Sequence, residues 1–432
     1  MTFRKKYDRI NGYVTFIHGV MDIEMEIEKT EKITGGKTLH LKKVSLTRNQ
    51  HKFLHAALTV TLMAALVLPA GLSGTRTASA QQPAATAKTA TAKATIMLTG
   101  DLMCHPTQQQ AAYDGETYDF TPTFRYVKKI FARADLVVGN LETLVSKSLP
   151  LSKDINYVQT RPYLNAPDSF LDALSYAGFD VLITANNHVC DGGETGIQET
   201  LDALDAHGFA HTGSFRTEKE KRYVLAKADD IKVGILAYAT YFNKKEQFLT
   251  GGKAGYMLNR ASEEAIKADV KALKKAGAEY IIAYNHCGTE YSQVPAARQR
   301  RYAKMLAGAG VDYIINSHPH VLQPFGKVKV NDTVYPVLYS MGNFVSGMTD
   351  HNTKETIIFS LTLQRDENGK VSLKSQRYYP CYMLDFYENE SFVLMPEDNR
   401  YNDGFFMKTP VSLAKEMRAH FEHIHEVVGH LY

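Results

Sequence analysis

The sequence predicts an α/β fold built on a largely parallel sheet, and three observations carry that expectation. Short apolar runs alternate with stretches of helical periodicity through most of the chain. The helical stretches are long enough to serve as crossovers between parallel strands. Nearly every apolar run ends in polar side chains, as in open α/β sheets whose ligands collect beyond the carboxyl ends of the strands.

The elements follow in order. A first strand is expected at 94–99, ending in Gly100 and Asp101. A helix near 122–134 leads to a strand at 135–139 that runs into Asn140, Leu141 and Glu142. A helix around 168–177 precedes a strand at 180–184, which continues as Ala185, Asn186, Asn187 and His188 before a helix at 193–207. Paired β-like runs lie at 223–228 and 232–238. A helix at 263–276 leads to a strand at 280–284 ending in Asn285 and His286. Another at 296–309 leads to a strand at 313–316 ending in Ser317, His318, Pro319 and His320. Strand-rich stretches near 334–340 and 356–362 close a core read as one domain over 94–385, followed by a C-terminal extension at 386–432. The extension carries a helix at 411–428, where His423 and His425 lie two apart and read as surface residues.

Composition bounds the function classes. Of the 432 residues, 44% are hydrophobic and 22% charged, which argues against wholesale disorder. Four cysteines in a chain of this length are not a disulfide framework. Residues 1–52 hold 11 Lys/Arg against 6 Asp/Glu, whereas the remainder holds 39 against 40. A near-neutral body gives no electrostatic reason to expect nucleic acid as a partner. The apolar run at 53–72 follows Lys42, Lys43, Arg48 and Lys52 and leads to Ala78-Ser79-Ala80, so 53–80 reads as a signal peptide or membrane anchor. The body is therefore expected outside the cytoplasm, secreted or held at the membrane. Residues 1–52 form an extension to which no role is assigned, and the Ala/Thr/Lys-rich 81–93 is a linker.

The strand ends gather a consistent chemistry: Asp101 with His105, Asn140 with Glu142, Asn187 and His188 with Asp191, His286 with Glu290, and His318 with His320. A single histidine after a strand is usually a hydrogen-bonded loop residue. Five of the chain's 16 histidines at such positions point jointly to metal binding. Carboxylate, amide oxygen and imidazole suit Mn, Fe or Zn better than Ca or a thiolate site. In an extended strand, residues two apart share a face, which would aim His318 and His320 together. Cys104, Cys190 and Cys287 each neighbour a motif residue and are read as small buried side chains rather than ligands.

The stretches GDLMCH (100–105), ADLVVGNLET (134–143), TANNHVCDGG (184–193), NHCGTEY (285–291), SHPHVLQPF (317–325) and YSMGNF (339–344) occur in that order. Together they resemble the CapA family, proteins associated with poly-γ-glutamate capsule synthesis that share the calcineurin-like metallophosphoesterase fold. The resemblance implies a four-layer sandwich, two mixed β-sheets flanked by helices. It implies Asp101, Asn187, His286, His318 and His320 as metal ligands, with His188 and Asp191 as the catalytic pair. Two departures matter. His105 stands four positions after Asp101 where the family pattern has Asp-x-His, and is carried over as a further ligand. Asn140 and Glu142 replace the usual bridging Asp, so Glu142 is expected to bridge, with Asn140, Glu290 and Asn343 contacting ligands or substrate. One or two divalent ions would be held.

The expected function is an exported, metal-dependent hydrolase in capsule or other cell-surface polymer production, acting on a phosphoester or a γ-glutamyl amide. Its partners would be an anionic polymer or phosphoester substrate and a membrane synthase. The alternatives are a non-catalytic surface component that binds polymer or assembles that synthase, and an extracellular phosphatase of nucleotidase type.

Overall fold

A computed structural model describes residues 9–12, 25–31, 37–41, 91–155, 163–387, 391–429 and 431. The chain divides into two units, Met1–Ala85 and Thr86–Tyr432. In the first, β1 (Arg9–Gly12), β2 (Met25–Glu31) and β3 (Lys37–Leu41) pair antiparallel in that order. The expected signal or anchor at 53–80 lies outside the described residues, as does the linker up to residue 90. Among the described residues no helix is long and apolar enough to cross a membrane.

The second unit carries two mixed sheets. In one, β4 (Ala92–Leu102), β5 (Leu136–Leu141), β6 (Val181–Ile183) and β7 (Ala210–Thr212) run parallel. The other is built on β8 (Val224–Ala228), β9 (Ile231–Ala239), β10 (Tyr280–His286), β11 (Tyr313–Ser317), β12 (Leu322–Val330) and β13 (Thr333–Met341). Its order is β12-β13-β11-β10-β9-β8, with a parallel centre and antiparallel β12 and β8 at the edges. The chain then returns to the first sheet. There β14 (Asn343–Val345) lies parallel to β4, and β15 (Glu355–Arg365), β16 (Val371–Tyr387) and β17 (Ser391–Pro396) extend the sheet antiparallel in the order β17-β16-β15-β4-β5-β6-β7.

Strand β10 shows why the two sheets stack. Its residues are buried on both faces, as central parallel strands must be. Tyr280, Ile282 and Tyr284 join the core between the sheets, where the Tyr284 hydroxyl reaches the Thr99 carbonyl of β4 at 3.4 Å. Ile281 and Ala283 face the other way, against Ile266, Val270 and Leu273 of α4 (Glu263–Lys275) and Ala303 and Leu306 of α5 (Ala297–Ala309). Helix α4 opens with Ser262 accepting from the Ala265 amide at 3.2 Å and places Glu263 and Glu264 in its first turn. The first sheet is packed with α2 (Ser169–Ala177) and α3 (Gly193–Ala206), whose Phe170, Leu174, Ile197 and Leu201 belong to the same core. The α/β sandwich of two mixed sheets flanked by helices, which the resemblance implied, is thus present; strand alternation by itself points to a largely parallel sheet, and the antiparallel edges are what make both sheets mixed.

Four further expectations change. The helix expected at 122–134 is two single turns, Thr121–Phe124 and Lys128–Phe131. The linker boundary at 93 falls inside β4, which starts at Ala92. The boundary at 385 cuts β16, and residues beyond it are not an appendage: β17 pairs with β16, and Met417, Phe421 and Ile424 of α6 (Val411–Val428) enter the main core. His423 is not a simple surface residue either. Its Nδ1 and that of His420 lie 2.6 and 2.7 Å from the two oxygens of buried Glu355, fastening α6 to the start of β15. His425, at the surface as expected, meets Glu397 and Tyr378.

Candidate metal centre

Strands β4, β5, β10 and β11 end together, and the residues at and just past their carboxyl ends form a buried polar cluster. Strand β4 runs on through Gly100 to Leu102, three residues further than expected, because the chain at 341–343 closes over it. Any Cβ at position 100 would overlap the Gly342 carbonyl oxygen, which instead accepts the Asp101 amide at 3.1 Å. Register then sets Asp101 beside Asn140 on one side and Asn343 on the other. Asn140 Nδ2 donates to Asp101 Oδ1 at 2.8 Å, and Asn343 Oδ1 lies 2.9 Å from His320 Nδ1.

Asp101, Glu142 and His286 place donor atoms within 4.8 Å of one another, and so do Glu142, His318 and His320. Glu142 belongs to both groups. His286 Nε2 is 3.4 Å and His320 Nε2 3.9 Å from Glu142 Oε1, while His320 Nδ1 is 3.4 Å from Asp101 Oδ2. Asn187 Oδ1 stands 2.7 Å from His286 Nε2 and so joins the cluster. Both Glu142 oxygens, and His318 Nδ1, are sealed from solvent without a hydrogen-bond partner.

The electrostatics follow from that burial. Desolvation, then the neighbouring Asp101 charge, pushes the Glu142 carboxyl well above its usual range. Burial holds His286 down to about 3 and His318 well below its ordinary value. Burial alone would raise Asp101 and lower His320. Their mutual contact reverses both, so Asp101 is lowered and His320 raised. A buried carboxyl without hydrogen-bond donors, beside two imidazoles that burial keeps uncharged, is an arrangement that a cation completes.

Beside this cluster, His188 Nδ1 lies 2.7 Å from Asp191 Oδ2. The same carboxylate accepts from the Leu164 amide and from Lys245 Nζ, each at 2.8 Å. His105 begins α1 (Pro106–Ala112), and its Nδ1 accepts the Gly347 amide at 3.1 Å. Its donor atoms are not among those that converge on Glu142. Glu290 is about half exposed at the rim, 3.9 Å from His318 Nε2. The four cysteines are buried thiols, and none joins a candidate ligand group among the described residues.

Several contributors escaped the sequence reading. Asn186 donates to the Leu141 carbonyl and accepts from the His188 amide, which fixes the turn. Ser317 Oγ is 2.9 Å from His286 Nδ1. Asn243 and Lys245, in the loop after β9, reach Asn187 and Asp191. Asn186 and Ser317 sit inside recognisable motifs. Asn243 and Lys245 have no local signal.

Fold and site define a class: a two-sheet α/β protein with a carboxylate–histidine cluster at the carboxyl ends of its parallel strands. Residues 95–348, more than half of the chain, match the family model described as bacterial capsule synthesis protein PGA_cap, and the chain belongs to that family. It is 28% identical over 288 residues to the capsule biosynthesis protein CapA of Bacillus anthracis, covering 65% of this chain and 66% of that one. To the PGA biosynthesis protein CapA of Bacillus subtilis it is 27% identical over 263 residues, covering 58% and 63%. The matches thus span just under two thirds of each relative's length. Among solved structures, the calcineurin-like phosphoesterase YfkN from Bacillus subtilis is similar with a TM-score of 0.42 at 16% identity, covering 67% of this chain and 91% of that one.

Proposed function

We propose that this protein is an exported, metal-dependent hydrolase acting in the production of a capsule-type cell-surface polymer. One observation carries the metal assignment: Glu142 is fully buried, both its oxygens lack partners, and it is shared by two groups of three candidate ligands. Asp101, Glu142 and His286 would hold one divalent ion and Glu142, His318 and His320 a second, with Asn187 supplying an amide oxygen. Mn, Fe or Zn suits that donor set. Such ions supply Lewis acidity, lowering the pKa of water and polarising the reacting group.

The protein's own residues do the rest. Asp191 holds His188 by Nδ1 and leaves Nε2 to give a proton to a leaving oxygen or nitrogen. Lys245 and the Leu164 amide hold the carboxylate in turn, so the imidazole cannot swing away. Asn140 and Asn343 orient Asp101 and His320. The substrate is an anionic polymer or phosphoester, with a membrane synthase as partner. Family membership supports the polymer role, and the basic flank, apolar run and small-residue exit at 42–80 support export.

Metal analysis of the purified protein, followed by a panel of bis-p-nitrophenyl phosphate and γ-glutamyl peptides, tests this reading. About one or two equivalents of metal and turnover on one arm are expected. Stoichiometric metal with no turnover on either arm would favour a polymer-binding component. External protease on intact cells should degrade the body of the chain if it is exported.

A further inference from the structure

We infer that His105 is not a metal ligand but a fixed N–H donor, presenting Nε2–H to an anionic oxygen of the substrate bound beside the metal centre. The inference extends the proposed hydrolase reading and rests on it for the identity of the site.

The geometry of one hydrogen bond carries it. The Gly347 amide points at His105 Nδ1 from 3.1 Å. A backbone amide can only donate, so Nδ1 must offer its lone pair, and in the neutral ring the proton then sits on Nε2. A histidine that ligates a metal has the opposite arrangement: one nitrogen gives its lone pair to the ion, and the other donates its N–H to a carboxylate, carbonyl or water. At His105 the nitrogen that would need an acceptor faces a donor. Binding a metal through Nε2 would require the proton to move to Nδ1, against the Gly347 N–H.

The contact is built into the fold. A Cβ on residue 347 would lie 2.8 Å from His105 Cβ, so only glycine lets this amide approach the ring. From the other side, the His105 amide donates to Gln108 Oε1 at 2.8 Å, setting the residue at the head of α1. Burial, followed by the charges of His188 and His320, holds the ring's pKa down to about 3, so it is neutral across the physiological range. Among the described residues Nε2 makes no hydrogen bond and is not one of the unpartnered polar atoms sealed from solvent. It is an open donor on a ring fixed by Gly347, four residues after the Asn343 that contacts the candidate ligand His320. A neutral imidazole in such a place polarises an oxygen without exchanging its proton, and its benefit grows as charge develops there.

The test uses the full-length protein labelled with 15N in histidine, read by long-range 1H–15N spectra before and after zinc is added. His105 should show an unprotonated Nδ1 and a protonated Nε2 in both states, whereas His286, His318 and His320 should shift on zinc addition. A His105 Nε2 signal that moves to the metal-bound position would overturn the assignment. Two variants add independent readouts, metal content and the affinity of the zinc-loaded protein for inorganic phosphate. His105→Gln keeps an N–H near Nε2 and should retain both within about threefold. His105→Leu should keep its metal but bind phosphate about 10- to 100-fold more weakly, the worth of a hydrogen bond to a charged group. Loss of metal in His105→Leu, or parental phosphate affinity, would sink the donor role. If the parent protein binds no metal the hydrolase reading fails by itself, while the ring's tautomer is still read in the metal-free spectrum.

Discussion

His188 and Asp191 face each other at 2.7 Å, and the carboxylate is fully sealed while its other contacts, Lys245 and the Leu164 amide, are each 2.8 Å away. The imidazole is therefore held at one end by a carboxylate that has no freedom of its own. Proton delivery needs that constraint, and metal retention does not.

His188→Ala should accordingly keep its metal and fold but lose about 10²–10⁴-fold in turnover. Asp191→Asn should show a smaller loss of the same kind. Steady-state rates beside metal analysis check both, and a His188→Ala protein that fully restores polymer production in cells lacking the parent would remove proton transfer from the mechanism.

Metal should bind because the ligands come from separate loops, so occupancy ties the strand ends together and raises the melting temperature. Replacing both His318 and His320 by Ala should abolish that rise. Glu142→Gln should also abolish it, yet be more stable than the parent in chelator by about 1–3 kcal/mol, because burial raises the carboxyl's pKa and a neutral amide is spared the cost of burying a charge or taking up a proton on folding. Thermal melts of the three proteins with and without Mn or Zn read the difference.

Gly100→Ala is expected to be among the most damaging small substitutions. The added methyl overlaps the Gly342 carbonyl oxygen and displaces the backbone that positions Asp101. A loss of about 3 kcal/mol in urea unfolding, together with weakened metal binding, is the anticipated result.

The thiols of Cys104, Cys190, Cys287 and Cys381 are buried, and desolvation raises the pKa of each, that of Cys190 to about 12. None should react with a thiol reagent at neutral pH in the folded protein, and all four should react in denaturant. Rapid labelling of Cys104 or Cys287 in the native state would contradict their placement behind the site.

Helix α6 should behave as part of the core. Phe421→Ala, which empties a buried ring position, should cost about 3–5 kcal/mol. Glu355→Gln, which weakens the clamp on His420 and His423, should lower stability less. Unfolding midpoints measured side by side test the order.

Much of the site was legible because its donors directly follow apolar runs: Asp101 near the end of β4, Asn187 and His188 after β6, His286 at the end of β10. Strand alternation, though, was the wrong reason for pairing His318 with His320. Strand β11 stops at Ser317, and the two histidines take left-handed backbone conformations, with φ of 97° and 60°, that turn their rings into the site. Such conformations cost energy in non-glycine residues and are found where the surrounding structure enforces them. Strand β16 was missed because its first half mixes exposed polar residues with buried ones and reads locally as a loop; β17 is a short buried apolar run whose pairing with β16 is a tertiary contact.

Apolar periodicity and the chemistry of the strand ends are local properties, and the sequence by itself determined them: an α/β chain with carboxylate, amide and imidazole donors after its parallel strands. The tertiary structure decided which donors meet. Glu142 joins His286 and His320 only because two sheets stack with their carboxyl ends level. Lys245 reaches Asp191 across 54 residues, and Gly347 reaches His105 across 242. Those distances are set by register and inter-sheet packing, which depend on contacts remote in the chain and leave no mark on the residues beside them.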